Sequence, residues 1–334
     1  MIIQLKENRT KDAQKELEST LEQFDIQFYP VNTQLKSYLV GLLKKELDLR
    51  HIGAMEAVED VHRVFGKHKL VSADWKRTGS SIAVNDLEIG NGKAIMMAGP
   101  CSIESEEQVD LIASYLKEQG IPIMRGGAFK PRTSPYSFRG LGLEGLKMFH
   151  SICKSKGIKV ITEVMESSQI EHMYPYVDIF QVGARNSQNF NLLEALGKVD
   201  KPVLIKRGIS GSIDELLYSA EYVFHKGNER IILCERGIRS FESAYRNTLD
   251  LNAVPILKEK SHLPVIVDPS HGIGIRKHVP KMSLAGLAAG ADGLIVEIHE
   301  EPERAFTDGQ QSLSLNEFSL LNQKVQQIQD LNLF

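Results

Sequence analysis

The chain has 334 residues, of which 42% are hydrophobic and 25% charged, and its formal net charge is −3. This balance is ordinary for a folded soluble protein, excludes long disorder, and offers no global basic field for nucleic acid. The length exceeds one typical domain but accommodates a barrel of roughly 250 residues plus a smaller module. Three cysteines, at 101, 153 and 234, are too few and odd in number for a disulfide framework and fit a reducing compartment. Residues 1–10 lack the apolar core of a secretory signal, and no run of about 18 apolar residues could span a bilayer. A cytoplasmic location is expected, with neither membrane nor nucleic acid as partner.

In chain order, residues 2–5 read as a short strand. Residues 11–24 read as a helix with Ala13, Leu17, Leu21 and Phe24 on one stripe. Residues 26–30 and 36–42 read as strands around a polar turn at Asn32-Thr33. A short helix is expected over 46–52 and a last strand over 56–65. The order βαββαβ is the split βαβ, or ferredoxin-like, unit, so residues 1–65 form the expected first domain. Residues 66–93 read as a polar connector carrying a small hairpin around Asn85-Asp86.

From residue 94 the rhythm changes. Short apolar runs recur at 94–98, 122–124, 159–162, 179–182, 202–205, 230–233, 263–267 and 293–296. Amphipathic helical segments lie between them, at 106–119, 144–156, 189–197, 213–226 and 283–289. Continuous apolar strands alternating with helices imply a parallel sheet buried on both faces. Eight such units over about 240 residues predict a (β/α)₈ barrel spanning 94–334. No Gly-rich dinucleotide fingerprint follows the first run, which weakens an open doubly wound sheet.

The residues just past each run carry the chemistry. They are Cys101; Arg125, Lys130 and Arg132; Glu163; Arg185; Lys206 and Arg207; Glu235 and Arg236; Asp268 and His271; Glu297 and His299. In a barrel these positions converge on the C-terminal mouth, where active sites of this fold lie. One charged residue after a strand is ordinary solvated loop, but so many converging on one rim need partners. Cations outnumber acids there, so the natural partner is a small phosphorylated or carboxylated substrate. Cys101, His271, Glu297 and Asp308 together make a thiolate, imidazole and carboxylate set suited to a divalent transition metal. Spacing alone leaves this open, because a free cysteine is commonly a small core residue and a loop aspartate is commonly a turn residue. Cys153 and Cys234 read as core.

The motifs GPCSIES (99–105), MRGGAFKPRTSPYSFRG (124–140), QVGARN (181–186), LIKRG (204–208), LCERG (233–237), VDPSHG (267–272) and VEIH (296–299) resemble 3-deoxy-D-arabino-heptulosonate 7-phosphate (DAHP) synthase. The resemblance covers nearly the whole chain and is closest to the short form with an N-terminal ferredoxin-like regulatory domain. It implies condensation of phosphoenolpyruvate with erythrose 4-phosphate and water, the first step of the shikimate pathway. It implies one divalent metal (Mn, Fe, Co, Zn or Cu) on Cys101, His271, Glu297 and Asp308. By the same resemblance Arg185, Lys206 and Arg236 grip the phosphoenolpyruvate phosphate. Arg125 and Lys130 hold its carboxylate side, and Lys130 also transfers a proton. Arg132, Thr133 and Ser134 bind the aldose phosphate. Glu163 and Asp268 read as groups that orient Lys206 or His271. The family further implies a homotetramer and feedback inhibition by tyrosine or phenylalanine, with the small domains moving over the barrel mouth. The related alternative is 3-deoxy-D-manno-octulosonate 8-phosphate synthase, which carries a Lys-Ala-Asn-Arg-Ser type loop where this chain has KPRTSP (130–135).

Overall fold

The computed structural model describes residues 1–331 apart from 44–45, 131–133 and 135. Its first unit runs β1 (Ile2–Leu5), α1 (Lys11–Gln23), β2 (Gln27–Asn32), β3 (Ser37–Leu42), α2 (Arg50–Gly53) and β4 (Val58–His62). The four strands form one antiparallel sheet in the order β2-β3-β1-β4. Thr10 caps α1 by accepting from the Ala13 amide at 3.1 Å. Ala13, Leu17 and Leu21 bury the helix face against Ile3, Leu5 and Leu39. Two boundaries differ from expectation. Helix α2 is a single turn that begins at 50 rather than 46, where Asp48 accepts from the Arg50 amide. Strand β4 stops at His62, because its partner β1 ends at Ile2 opposite it.

A two-stranded hairpin follows, β5 (Ile82–Val84) and β6 (Leu87–Ile89). The remainder is β7 (Ile95–Gly99), α3 (Glu106–Glu118), β8 (Ile123–Arg125), α4 (Gly142–Ser155), β9 (Lys159–Val164), α5 (Ile170–Met173), β10 (Ile179–Val182), α6 (Phe190–Leu196), β11 (Val203–Lys206), α7 (Ile213–His225), β12 (Ile231–Glu235), α8 (Ala253–Lys260), β13 (Val265–Val267), α9 (Pro269–Ile273), α10 (Val279–Ala288), β14 (Gly293–Glu297) and α11 (Leu315–Asp330). Strands β7 to β14 close into a parallel barrel, with β14 pairing β7 so that Glu297 lies opposite Gly99. The expected α/β architecture, a closed eight-stranded barrel with a small N-terminal antiparallel sheet, is therefore observed.

The barrel interior is filled rather than hollow. Met97, Ile123, Ile161, Ile179, Leu204, Ile232, Cys234, Ile266 and Ile295 form one buried cluster. Ile82, Val84 and Ile89 of the hairpin join it and cork the N-terminal end. Alternate residues on the outer face pack under the helices. Cys153 and Cys234 are fully buried in these cores, and burial pushes both thiols up.

The N-terminal sheet sits at the corked end. Tyr38 donates to Glu229 at 3.3 Å, Thr33 also bonds Glu229, and Gln34 donates to the Val199 carbonyl at 3.0 Å. Val199 and Glu229 precede β11 and β12, so these contacts lie opposite the mouth. The connector is tied down by Glu221, which accepts from the amides of Lys69, Leu70 and Val71. His262 bonds both Ser80 Oγ and the Leu70 carbonyl at 2.8 Å. No helix among the described residues is long and apolar enough to cross a membrane.

Candidate active site

The site is built where the strands end. Gly99 closes β7 with the backbone against β8: a Cβ there would sit 2.0 Å from the Arg125 carbonyl oxygen. Only glycine permits that approach, and it lets Pro100 turn Cys101 inward over the barrel. Lys130 Nζ, reaching back from the loop after β8, donates to the Cys101 carbonyl at 2.8 Å and meets its Sγ at 3.0 Å.

Asp268 caps α9, accepting from the His271 amide at 3.0 Å through Oδ1. Its Oδ2 accepts from His271 Nδ1 at 2.8 Å and from Lys206 Nζ. This fixes the imidazole so that Nε2 faces Glu297 at 3.5 Å and Asp308 at 3.8 Å. Glu297 ends β14 and is held by Arg125 at 2.9 Å and Gln311 at 2.6 Å. Asp308 comes from the loop after β14, with φ 53°, and its Oδ2 lies 3.4 Å from Cys101 Sγ.

The ligand atoms of Cys101, Glu297 and Asp308 all lie within 4.8 Å of one another, and His271 borders the two carboxylates. Burial, reinforced by Glu297 and Asp308, pushes the Cys101 thiol up to about 11. Burial acts to raise the Asp308 carboxyl, but His271, Arg246 and Lys130 outweigh it and bring the group down to about 2. Burial lowers the His271 imidazole toward its neutral form, against the pull of Asp268 and Glu297. A neutral imidazole, ionised carboxylates and a soft sulfur are the donors a divalent transition metal requires, so the residues fit such an ion.

Beside this set lies a cleft of about 220 Å³. Seven cationic side chains line it: Arg125, Lys130, Arg185, Lys206, Arg236, Arg239 and Arg246. Glu297, Asp268 and Asp308 pair with Arg125, Lys206 and Arg246. Among the described residues no carboxylate lies within ion-pair distance of Arg185, Arg236 or Arg239, and Arg236 bonds only the Gly237 carbonyl at 3.3 Å. Burial lowers the Arg236 guanidinium. A buried Arg236 and the exposed Arg185 and Arg239, three forks turned to one cleft without acidic partners, call for a multivalent anion.

Most of the expected site residues thus converge. Cys101, Arg125, Lys130, Arg185, Lys206, Arg236, His271 and Asp308 line the cleft, and Glu297 lies behind Arg125. Ser134 is exposed and accepts from the Tyr136 amide at 3.3 Å. Arg132 and Thr133 lie outside the described residues. Glu163 lines the cleft with its carboxylate over Gly183, where a Cβ would meet Oε1 at 2.0 Å. Three strand-end residues, Arg207, Glu235 and His299, turn elsewhere. Arg207 pairs with Glu235 at 2.9 Å and Asp250 at 2.8 Å, and His299 meets Gln108 at 2.9 Å. Sequence reading missed Arg239, Arg246, Asn247, Gln181 and Gln311. The first three sit in a long loop after β12 that folds back on itself through the Ile238–Thr248 bridge.

Residues 44–333 match the DAHP synthetase I family. The chain belongs to that family. The phospho-2-dehydro-3-deoxyheptonate aldolase of Thermotoga maritima is 43% identical over 335 residues, covering 99% of this chain and 98% of the relative. The crystal structure of the Thermotoga maritima phospho-2-dehydro-3-deoxyheptonate aldolase (DAHP synthase) superposes with a TM-score of 0.79 at 42% identity, covering 98% of this chain and 97% of that one. A truncated form of the Thermotoga maritima synthase covers 79% of this chain and 97% of its own, with a TM-score of 0.75 and 46% identity. The 2-dehydro-3-deoxyphosphooctonate aldolase of Koribacter versatilis is 34% identical over 254 residues, covering 70% of this chain and 90% of its own length. Similarity to the heptonate enzyme is higher and runs through the N-terminal sheet, so the chain stands with the DAHP synthases and the octulosonate alternative is not favoured.

Proposed function

We propose that the cleft condenses phosphoenolpyruvate with D-erythrose 4-phosphate and water, giving DAHP and phosphate. The observation that carries this is the convergence, at one barrel mouth, of a transition-metal donor set with arginines that lack acidic partners. C3 of the enolpyruvate forms a bond to the aldehyde carbon, water adds its oxygen at C2, and phosphate leaves. Cys101, His271, Glu297 and Asp308 would hold the metal, which when bound supplies Lewis-acid polarisation of the aldehyde oxygen. Mn, Fe, Co, Zn and Cu all suit this set.

The remaining work falls to side chains. Arg185, Lys206 and Arg236 bind the phosphoenolpyruvate phosphate, while Arg125 and Lys130 orient its carboxylate. Lys130 Nζ also moves a proton, and Asp268 holds Lys206 and His271 at fixed angles. Arg132, Thr133 and Ser134 bind the aldose phosphate. Two anions brought together repel, and the cationic wall offsets that repulsion. No protein nucleophile is required. Residues 1–65 are read as a regulatory module that responds to tyrosine or phenylalanine, in a cytoplasmic homotetramer.

The test is a phosphoenolpyruvate consumption assay with erythrose 4-phosphate against arabinose 5-phosphate, with and without chelator. Preference for the four-carbon sugar and loss of turnover on chelation are expected. Preference for the five-carbon sugar would overturn the substrate reading. Cys101→Ala is expected to abolish metal-dependent turnover, and full activity of that variant in chelator would overturn the metal reading.

A further inference from the structure

Asp308 reaches the site from far along its loop. It lies eleven positions beyond the end of β14, and its backbone is in the left-handed region, which non-glycine residues seldom adopt. Arg246 holds its carboxylate at 3.1 Å, and Ser312 donates to its carbonyl at 3.1 Å. A further tether, a side-chain bond, lies one residue away. Thr307 Oγ1 and Ser102 Oγ bond each other, and both residues are buried. Ser102 follows Cys101, and Thr307 precedes Asp308. The hydroxyl pair therefore joins the two loops immediately beside the two ligands.

Another tether runs parallel. The Phe306 amide donates to Glu104 Oε1 at 2.8 Å. Glu104 is in turn set by Gln108, whose Oε1 accepts from the Glu104 amide at 3.0 Å. His299 Nε2 bonds the Gln108 side chain at 2.9 Å and faces Glu104 Oε2 at 3.6 Å. This gives His299 of the VEIH motif a place in the fold outside the cleft. Ser102, Glu104 and Thr307 are absent from the cleft lining.

We infer that Ser102 and Thr307 are positioning residues that set the separation of Cys101 and Asp308, so that metal affinity depends on a buried hydroxyl pair touching neither substrate nor metal. The inference rests on the metal reading of Cys101 and Asp308 given above. Partners of metal ligands that are themselves not ligands typically contribute 10–100-fold to affinity.

The experiment is a cobalt(II) titration of the full chain in competition with a chelator, following the thiolate-to-cobalt absorption band. Ser102→Ala, Thr307→Val, the double variant, Thr307→Ser and Cys101→Ala are compared. Thermal melting of the metal-free proteins identifies variants that have lost their fold. Ser102→Ala and Thr307→Val are expected to weaken cobalt binding about 10–100-fold. The double variant should be no weaker than the weaker single one, because both remove the same bond. Thr307→Ser should restore affinity and band intensity, which a simple loss of packing would not. Parent-like affinity in Ser102→Ala and Thr307→Val, or additive losses, overturns the inference. Parent-like affinity and absorption in Cys101→Ala instead overturns the metal reading.

Discussion

At Asp268 one carboxylate serves two functional side chains. Oδ2 accepts from both Lys206 and His271, and Oδ1 holds the His271 backbone. Those partners hold the carboxyl well below its ordinary range although burial opposes them. Asp268→Asn keeps the volume but cannot accept at both bonds with full charge. Steady-state kinetics should show kcat reduced about 10–100-fold, with weaker phosphoenolpyruvate binding from the released Lys206; wild-type kcat would refute the shared role. Residues such as Cys101, Lys206 and Asp268 are legible in the chain because each lies within two residues of a strand end. Arg239 and Arg246 are not, since only the doubling back of the β12–α8 loop carries them to the cleft.

At the scale of elements, Gly99 decides how closely β7 and β8 approach. Gly99→Ala would force a Cβ against the Arg125 carbonyl, and should destabilise the fold by roughly 2–4 kcal/mol. A denaturant midpoint equal to wild type would show that the loop relaxes freely. The connector carries a pH signature. Burial holds the His262 imidazole down at about 3, whereas an unfolded histidine titrates near ~6.5. Between these values the unfolded chain binds the extra proton, so this contribution to stability is complete above pH ~6.5 and is lost as pH falls toward ~3, by about 1.4 kcal/mol per unit. Urea melts at pH 7 and 5.5 should show this slope, and His262→Gln should remove it. The barrel strands are legible because burial on both faces leaves continuous apolar runs. The limits of α2 and β4 are not, because a partner strand and the local turn at Asp48 set them.

For the whole molecule, the sheet of residues 1–65 is seated on the barrel through Glu229, at the end away from the mouth. The Tyr38 hydroxyl is held protonated by burial and by the adjacent Glu229 charge, and its ring packs edge-on against Trp75 and Phe224. Movement of the module over the mouth therefore requires this seat to open. A chain lacking residues 1–65 should retain turnover and lose inhibition by tyrosine or phenylalanine. Unchanged inhibition would remove the regulatory reading. Steps of this kind are invisible in composition: the net charge of −3 conceals both the cationic cleft and the Glu229 anchor at the opposite end.

The filled barrel interior, capped by the hairpin β5–β6, leaves the cleft open only at the mouth. With Ile82, Val84 and Ile89 filling the far end, nothing can pass through the barrel. Substrates and products must therefore share one entrance, on the face where the cleft opens.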